Sequence, residues 1–507
     1  MSYSISTVTF NGINTVGVDV QVHIISGIPN FTIVGLADKT IAESKERVRA
    51  SLSSIGIALP AKKILINLSP ADIEKEGSYF DLPIACAILT SIGVLPKDLI
   101  SDYVILGELS LDGKILPVNG ILPASIGANA KGKGIICPKD NGNEACWSGN
   151  PDILACDNLL SLINHFSGTQ ILLKPEITNI SNESNPNYPD LIDIIDNDAA
   201  KRALEISASG RHNMLMFGPP GSGKSMLASR IAGILPDMTP QEILECSTIA
   251  SIAGQVKSRG LIDVRPFRAP HHSCSVPSLV GGGIGKNIKP GEISLAHNGI
   301  LFLDELPEFT SNALDALRQP IESGKILISR VNSHIEYPAD FQLIAAMNPC
   351  KCGYLSEPER ACSKAPKCSS NYLSKVSGPI IDRFDISIEV PSIYDFQKKR
   401  EKGNSNSADM KQRVIEVRKI QEKRYEGLGV KTNGRVDGNI IKDYLIITED
   451  ALNILNDAAN RFKFSMRGYN RAFKLARTIA DMDNSDKIHK EHIAESVNYR
   501  INNFFIN

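Results

Sequence analysis

The segment from Gly218 to Ser225, GPPGSGKS, has the residue types and spacing of a phosphate-binding loop. It fits the pattern G-x-x-x-x-G-K-[ST], with an apolar run before it and an amphipathic segment after it. Glycines let backbone N–H groups curl around phosphates, and the following helix adds its positive dipole end. We expect Lys224 to reach the β- and γ-phosphates of ATP and Ser225 to bind Mg²⁺. The predicted nucleotide-binding residues are Gly218, Pro219, Pro220, Gly221, Ser222, Gly223, Lys224, Ser225, Met226 and Asp304.

A second motif, GILFLDEL at residues 299–306, supplies two acidic side chains. Its apolar run predicts a buried strand that ends at Asp304 and Glu305. We expect Asp304 to hold Mg²⁺ through water, and Glu305 to polarise the attacking water as a general base. Asp-Glu after an apolar run is a weak signal alone, but together with the phosphate-binding loop it predicts an ATPase with ATP and Mg²⁺ as cofactors.

Two further polar residues follow apolar runs downstream. FQLIAAMNP predicts a buried strand that ends at Asn348, and we interpret this Asn as a sensor of the γ-phosphate and attacking water rather than as an ordinary turn former. In GPIIDRFD, Arg383 precedes another strand. It is predicted either to form a local ion pair with Asp382 or Asp385, or to act as an arginine finger on the ATP of a neighbouring subunit.

The stretch NPCKCGYLSEPERACSKAPKC holds four of the ten cysteines. Its spacing, C-x-C-x₉-C-x₅-C, differs from the usual pair of C-x₂-C knuckles, yet four thiols in one loop can close a tetrahedral Zn²⁺ site. A reducing compartment disfavours disulfides. We predict structural zinc, with free thiols and redox chemistry as the alternatives. The predicted ligands are Cys350, Cys352, Cys362 and Cys368.

The composition is that of an ordinary globular protein, with 42% hydrophobic and 22% charged residues. A net charge of −1 requires any nucleic-acid partner to be held by local positive surface. The sequence shows neither a signal-peptide pattern nor an apolar run of the roughly 18–20 residues that span a bilayer. We therefore expect a cytoplasmic protein that has no membrane partner.

A chain of 507 residues should contain several domains. Residues 1–165 alternate β-rich and helical segments and predict a compact α/β or α+β domain. A linker is predicted at 166–190, which includes the Asn-, Ser- and Pro-rich stretch EITNISNESNPNYPD. The nucleotide motifs and the four-cysteine loop at 350–368 fall within residues 191–393, and residues 394–507 become helical.

These motifs, in this order, resemble those of AAA+ ATPases. The match is sharper in RPFRAPHHSCSVPSLVGGG, KPGEISLAHNGILFLDELPEF and ALRQPIESGKILISRV, which resemble the YifB/ComM family of magnesium-chelatase-like AAA+ ATPases. The resemblance covers nearly the whole chain. It implies an α/β fold class with a Lon-protease-like (S5-type) α+β N-terminal domain, a central AAA+ P-loop α/β domain and a C-terminal helical lid domain.

The resemblance also implies a homo-hexameric ring with ATP bound between subunits. In such a ring Arg383 would be the arginine finger that contacts the ATP of the neighbouring subunit. SMRGYNR offers a sensor-2 arginine, for which Arg467 is favoured over Arg471; the alternative is that both are simple surface charges. The implied function is that of an ATP-driven DNA motor. It would be a helicase or branch-migration factor in homologous recombination, such as integration of transforming DNA, with single-stranded or branched DNA and a recombinase as partners. The alternative is a magnesium-chelatase-like remodelling or metal-insertion ATPase without DNA activity.

Two other segments carry polar residues that could contact a substrate. SGKILISRVNSH, at 323–334, predicts a β-hairpin with Arg330 near its tip. In the ring ATPases that it resembles, this hairpin touches DNA; the alternative is an exposed charge. His271 and His272 favour a substrate-contacting or interface loop over a metal site, because adjacent histidines usually point apart.

The N-terminal block resembles the Lon protease fold, but the residues for proteolysis are out of place. A Ser–Lys dyad needs a hydroxyl and an amine within hydrogen-bond reach. Leu122 stands where the lysine would align, and Ser78 lies one residue before the nucleophile position, which is Tyr79. We predict no peptidase activity. A basic amphipathic helix is predicted at 409–425, with a solvated charged face, or DNA or subunit contact, as its alternatives.

Overall fold

The computed structural model describes most of the chain as two large sheets with helices around them, so the predicted mixed α/β class is confirmed. The described residues are 3–176, 188–194, 196–256, 260–283, 288–330, 333–355, 362–363, 367–391, 406–437 and 439–500, without the side chains of Arg330, Ser333, Asn439 and Lys442.

The N-terminal part is built on a seven-stranded mixed sheet. Its strands are β1 Tyr3–Asn11, β2 Asn14–Ile25, β3 Asn30–Val34, β4 Lys63–Ser69, β5 Tyr103–Ile105, β8 Gly134–Pro138 and β9 Ile153–Cys156. β6 Glu108–Leu109 and β7 Ile115–Leu116 form a separate short pair. The sheet order is β3-β4-β2-β1-β5-β8-β9. β2 runs antiparallel to β1 and β4, whereas the other neighbours are parallel.

Six helices accompany this sheet: α1 Lys39–Ser54, α2 Asp81–Ser91, α3 Lys97–Ile100, α4 Ile121–Asn129, α5 Gly142–Cys146 and α6 Leu159–Phe166. Helix α2 packs against β1, β2 and α1, and all its residues except Ser91 are buried. Its sequence is apolar on every face because it lies inside this core. The assignment of this part to a Lon-like fold stays a prediction.

The central part is a five-stranded sheet in which all neighbouring strands are parallel. Its strands are β10 Met214–Phe217, β11 Phe267–Arg268, β14 Ile300–Leu303, β17 Gln342–Met347 and β18 Ile386–Glu389, and two hairpins are β12 Gly281–Gly282 with β13 Lys289–Pro290 and β15 Lys325–Arg330 with β16 Ser333–Pro338. The sheet order is β11-β14-β17-β10-β18. β10, β14 and β17 are buried throughout, as expected for parallel strands covered on both faces.

The helices of the central part begin with α7, which precedes β10, and the others lie between the strands in the chain. They are α7 Asp198–Gly210, α8 Lys224–Ile234, α9 Pro240–Ala253, α10 Val276–Val280, α11 Glu292–Leu295, α12 Ser311–Ala316, α13 Arg318–Ser323, α14 Lys367–Leu373 and α15 Gly378–Ile381. Because β10, β14 and β17 are parallel, the segments that follow them meet at one edge of the sheet. The segment that precedes β18 lies at the opposite edge.

The C-terminal part is helical, with α16 Ser407–Arg424, α17 Asn439–Tyr444, α18 Glu449–Arg461, α19 Met466–Met482 and α20 Lys490–Asn498. Helices α16 and α19 complete one core of the central sheet, since Met410, Val414, Leu475 and Ile479 are buried with residues of β10 and α8. A role as a lid and the domain boundaries stay predictions.

The predicted amphipathic helix at 409–425 lies within α16, and its apolar stripe is buried. Several of its cations bind neighbouring segments of the chain. Lys411 pairs with Asp237, Arg413 with Glu205 and Arg424 with Asp481, while Arg418 donates to the Ala208 carbonyl. These cations attach α16 to the central sheet and to α19, which leaves fewer of them for solvent or DNA.

Among the described helices, none is both long and apolar enough to cross a membrane.

Candidate nucleotide site

The predicted phosphate-binding loop joins the end of β10 to the start of α8. Gly221 has a φ of 77° and Gly223 a φ of 89°, in the left-handed region that glycine enters at little cost. The Gly218 N–H donates to Met347 O of β17 at 3.3 Å, which fixes the start of the loop on the sheet. The loop has the backbone conformation that allows successive N–H groups to bind phosphates.

Lys224 is the first residue of α8, and its side chain folds back over the loop. Its Nζ donates to Gly218 O and Pro219 O, both at 2.8 Å, and to Ser222 Oγ at 3.3 Å. Burial lowers the pKa of Lys224 to about 8, although the Asp304 carboxylate acts in the opposite direction. A bound phosphate would replace the carbonyl partners and favour the charged ammonium.

Ser225 and Asp304 come together from different elements. Ser225 lies in the first turn of α8 and donates from Oγ to Asp304 Oδ2 at 2.7 Å, where Asp304 directly follows β14. A hydroxyl and a carboxylate are hard oxygen ligands of the kind that Mg²⁺ prefers. These two residues therefore fit the magnesium ligands predicted from the sequence.

Glu305 follows Asp304 with a φ of 51°, a left-handed conformation that costs a non-glycine residue on the order of 1–3 kcal/mol. Its Oε2 lies 3.3 Å from His272 Nδ1, and the His272 ring lies 4.1 Å from that of His271, centroid to centroid. The sequence had suggested only a contact loop for these histidines. Their position a few residues after β11, which pairs with β14, was the signal that could have placed them here.

Asn348 directly follows β17, which lies between β14 and β10 in the sheet. Its side chain is partly exposed, and its backbone is hydrogen-bonded to the hydroxyl of Tyr372 on α14. Tyr372 was not singled out from the sequence. Three neighbouring strands thus bring the loop, the acidic pair and Asn348 to the same edge of the sheet.

Arg383 lies at the opposite edge, because it precedes β18. Its Nη2 donates to Glu322 Oε1 at 2.7 Å and its Nη1 to Pro379 O at 2.6 Å. Its ion-pair partner is therefore Glu322 rather than either of the aspartates considered from the sequence. The four-residue strand β10 separates this edge from the phosphate-binding loop by about 13 Å. Arg383 is therefore remote from the loop of its own chain.

The two candidate sensor-2 arginines differ in their partners. Arg471 Nη1 donates to Asp385 Oδ1 at 2.8 Å and to Arg383 O at 2.6 Å. Burial alone would raise the pKa of Asp385, but Arg471 and then His212 hold it well below its usual range. Arg467 is 63% exposed, and its Nη2 lies 3.7 Å from Glu322 Oε1, the carboxylate that binds Arg383. Arg471 thus has a buried structural partner, whereas Arg467 is accessible.

The hairpin predicted at 323–334 is confirmed as β15 and β16, with Arg330 paired to Ser333 at its tip. The Arg330 side chain lies outside the described residues. The N-terminal part contacts this hairpin, since a Cβ added to Gly12, in the turn between β1 and β2, would meet Glu336 O at 2.9 Å. Tyr337 of β16 is buried and donates to Ile288 O at 2.5 Å.

The four predicted zinc ligands lie close to this site. The sulfurs of Cys350, Cys352 and Cys368 are all within 4.8 Å of one another. The Cys362 thiol is in hydrogen-bonding contact with those of Cys352 and Cys368. Three of the four predicted ligands thus form one cluster directly after Asn348, and Cys362 contacts two of these three.

The residues weighed for proteolysis have other partners. Ser78 donates from Oγ to the carboxylate of Glu108, and the Tyr79 hydroxyl lies 3.4 Å from Thr9 Oγ1. Leu122 is buried, and its N–H donates to Glu144 Oε1 at 3.0 Å. The hydroxyl of Ser78 thus faces an acid rather than an amine.

Comparison with known proteins gives matches along nearly the whole chain. Residues 190–397 match the family described as "Magnesium chelatase, subunit ChlI", residues 20–141 match "Subunit ChlI of Mg-chelatase", and residues 404–500 match "Magnesium chelatase, subunit ChlI C-terminal". Competence protein ComM of Haemophilus influenzae is 42% identical over 96% of this chain and 95% of its own length. Uncharacterized protein YifB of Escherichia coli is 42% identical over 96% of this chain and 95% of its own length. The Magnesium-chelatase 67 kDa subunit of Chlorobaculum parvum is 28% identical over 30% of this chain and 22% of its own length.

Proposed function

The chain belongs to the YifB/ComM family of magnesium-chelatase-like proteins, as its motifs predicted, and on this premise we propose that it is an ATP-hydrolysing motor that acts on DNA. The observation that carries the proposal is the convergence of Lys224, Ser225, Asp304 and Glu305 at one edge of the parallel sheet. The DNA part is supported by the name of one relative, a competence protein, because competence concerns the uptake of transforming DNA.

In this proposal each residue of the site has a separate task. Lys224 binds the phosphates of ATP, Ser225 and Asp304 hold Mg²⁺, and Asn348 orients the attacking water. Glu305 accepts a proton from that water as it attacks the γ-phosphate. When bound, Mg²⁺ neutralises charge that develops on the phosphate oxygens. We propose ATP and Mg²⁺ as cofactors here, and Zn²⁺ as a structural ion at the four cysteines.

The position of Arg383 supports assembly of several subunits. Because Arg383 and Arg467 lie at the edge opposite their own phosphate-binding loop, they could reach only the ATP of another copy. A chain that presents a nucleotide site on one edge and arginines on the other joins head to tail, which closes a ring when the rotation allows it. We propose a homo-hexamer in which Arg383 is the arginine finger and Arg467 acts beside it.

The hairpin of β15 and β16 is the proposed DNA contact. Arg330 at its tip would neutralise a backbone phosphate without reading bases. The contact between Gly12 and the hairpin gives the N-terminal part a role as a scaffold that holds the hairpin in place. Branched or single-stranded DNA, and a recombinase in homologous recombination, are the proposed partners in the cytoplasm.

The second candidate is a remodelling or metal-insertion ATPase without DNA activity. It is favoured by the matches to magnesium-chelatase subunit ChlI and by the similarity to the Magnesium-chelatase 67 kDa subunit. Both candidates use the same ATP site. They differ in whether DNA changes the rate of ATP hydrolysis.

The test is the steady-state ATPase rate of the purified full-length protein with single-stranded, duplex and four-way-junction DNA. We expect branched DNA to raise the rate, and Lys224→Ala to abolish hydrolysis with every DNA. A wild-type rate that is indifferent to all three DNA structures would reject the DNA motor and leave the remodelling ATPase. Absence of hydrolysis by a folded wild-type protein that binds ATP would reject both.

A further inference from the structure

We infer that Cys350, Cys352, Cys362 and Cys368 form a Zn²⁺ site whose loading controls how tightly the phosphate-binding loop holds its nucleotide. The inference rests on the proposed function only in taking ATP as the ligand of that loop. The metal site itself is argued from the positions of the thiols.

The four sulfurs are linked by contacts, with Cys350, Cys352 and Cys368 as the tighter group. Cys350 Sγ lies 3.1 Å from Cys352 Sγ, and Cys362 contacts both Cys352 and Cys368. The sulfurs of Cys350, Cys352 and Cys368 are within 4.8 Å of one another. A tetrahedral Zn²⁺ ion with Zn–S bonds of about 2.3 Å places its four sulfurs roughly 3.8 Å apart. The separations among Cys350, Cys352 and Cys368 are compatible with three ligands of one such ion, and Cys362 would move onto it as the fourth.

The cluster differs from the remaining cysteines of the chain. The other six, which are all free thiols, are distributed over the cores and loops: Cys86, Cys137, Cys146, Cys156, Cys246 and Cys274. Within the part of the chain that the structure describes, the cluster is the only group of three or more candidate metal ligands. An all-thiolate tetrahedral set selects zinc or iron–sulfur chemistry, and a single ion fits closely packed sulfurs.

The turn that carries the first two ligands touches the phosphate-binding loop. Gly353 N–H donates to Cys350 O at 3.0 Å, and Gly353 has a φ of 88°. A Cβ added to Gly353 would lie 2.5 Å from Cδ and Cγ of Pro220. Backbone of the cysteine turn therefore packs directly on the second proline of the loop.

The fourth ligand is tied to the sensor strand. Ser369, next to Cys368, donates from Oγ to Pro349 O at 2.8 Å, between Asn348 and Cys350. The cysteine loop thus leaves the sheet at Asn348 and returns to it beside the same residue. A metal ion that joins the four thiolates would hold both the sensor and the wall of the phosphate-binding loop.

The energetic consequence follows from preorganisation. With the ion bound, the turn at Gly353 is fixed against Pro220, and the loop keeps the shape that receives phosphates. Without the ion, ATP binding must order both the turn at Gly353 and the phosphate-binding loop. The entropic cost of this ordering weakens the affinity for ATP. We expect loss of the metal to weaken ATP binding at least about fivefold, the lower end of typical couplings between sites.

The experiment measures metal content and ATP affinity separately on the full-length protein purified without chelator. Inductively coupled plasma mass spectrometry gives the zinc content, and titration with a fluorescent ATP analogue gives the Kd for nucleotide. We expect about one Zn²⁺ per wild-type chain and almost none in Cys352→Ser. Gly353→Ala should bind ATP more weakly, because the added Cβ would meet Pro220 and a φ of 88° disfavours any side chain. Cys146→Ser, a buried cysteine in the N-terminal part, is the matched control and should keep both properties.

Zinc-free wild-type protein, or iron in its place, would overturn the metal site. Zinc-stripped wild-type protein that remains folded by circular dichroism and binds ATP with an unchanged Kd would overturn the control of affinity, as would Gly353→Ala with wild-type affinity. If zinc-loaded wild-type protein fails to bind ATP at all, the proposed ATPase function fails instead, while the metal site stands.

Discussion

His272 Nδ1 lies 3.3 Å from Glu305 Oε2, so the proposed general base has an imidazole partner that follows a different strand of the sheet. Glu305 also has a left-handed backbone, which directs its side chain away from the path of an ordinary extended residue. The orientation of this carboxylate is therefore set by two features, one in the backbone and one in the side-chain contact.

His272→Ala removes the imidazole and leaves Glu305 without this positioning partner. We expect kcat for ATP hydrolysis to fall about tenfold or more, with KM for ATP little changed, because a displaced base impairs proton transfer but not binding. His272→Asn retains a donor near the position of Nδ1 and should recover much of the rate. Equal kcat values in the two variants would show that the contact with His272 does not position Glu305.

Mixing two inactive variants tests whether Arg383 acts on a neighbouring subunit. Lys224→Ala lacks the phosphate-binding lysine, and Arg383→Ala lacks the finger, so each alone should be inactive. In a ring assembled at random from equal amounts, about one quarter of the interfaces combine an intact loop with an intact finger. We expect the mixture to regain ATPase activity. No recovery in rings shown to contain both variants would contradict action between subunits.

Arg467 and Arg471 should separate function from stability. Arg471→Ala leaves Asp385 buried without its guanidinium partner, and we expect a loss of about 3–5 kcal/mol in the free energy of unfolding at neutral pH. Arg467 is exposed, so Arg467→Ala should change stability by less than about 1 kcal/mol while lowering ATPase activity. Denaturant unfolding and ATPase rates give both quantities, and the reverse pattern would make Arg471 the functional arginine.

The same pair predicts a pH dependence. The folded-state pKa of Asp385 is depressed, so its stabilisation is present above the ordinary value of about 3.9 and is lost as the pH falls below it. The difference in stability between wild type and Arg471→Ala should therefore be constant near neutrality and shrink below a pH of about 4. A difference that stays constant through this range would mean that the ion pair is not its cause.

Arg330 at the hairpin tip should contribute one phosphate contact. Arg330→Ala is expected to weaken DNA binding similarly for all sequences and to reduce the slope of log affinity against log salt by about one. Lys325, at the base of the same hairpin, pairs with Glu336 at 2.8 Å, so Lys325→Ala is the control and should leave the slope unchanged. Fluorescence anisotropy over a salt series measures both. Equal slopes in wild type and Arg330→Ala would remove the hairpin from the DNA interface.

Local sequence pattern was sufficient to predict the candidate nucleotide site. The sequence predicted the glycine-rich loop, a buried strand before each of Asp304 and Asn348, and the hairpin at 323–334. The structure contains all of these elements. Parallel strands then bring the ends together without further information. The same reasoning gathered the four cysteines, because they lie within one short loop.

Contacts between distant segments could not be read from the sequence. Glu322 as the partner of Arg383, and His272 as the partner of Glu305, depend on which edge of the sheet each segment reaches. The packing of Gly353 on Pro220 likewise joins two loops that follow different strands. The basic face of α16 was ambiguous for the same reason, since the carboxylates that bind it lie on other elements.

The most direct test of the motor is the movement of a four-way DNA junction by the purified protein. A labelled junction with homologous arms is incubated with ATP and Mg²⁺, and its resolution into duplex products is followed on a gel. We predict that the wild type converts the junction, whereas Glu305→Gln, which retains the ATP-binding lysine, binds it without conversion. Conversion by Glu305→Gln at the wild-type rate, or none by a wild-type protein that hydrolyses ATP on the same DNA, would contradict the account.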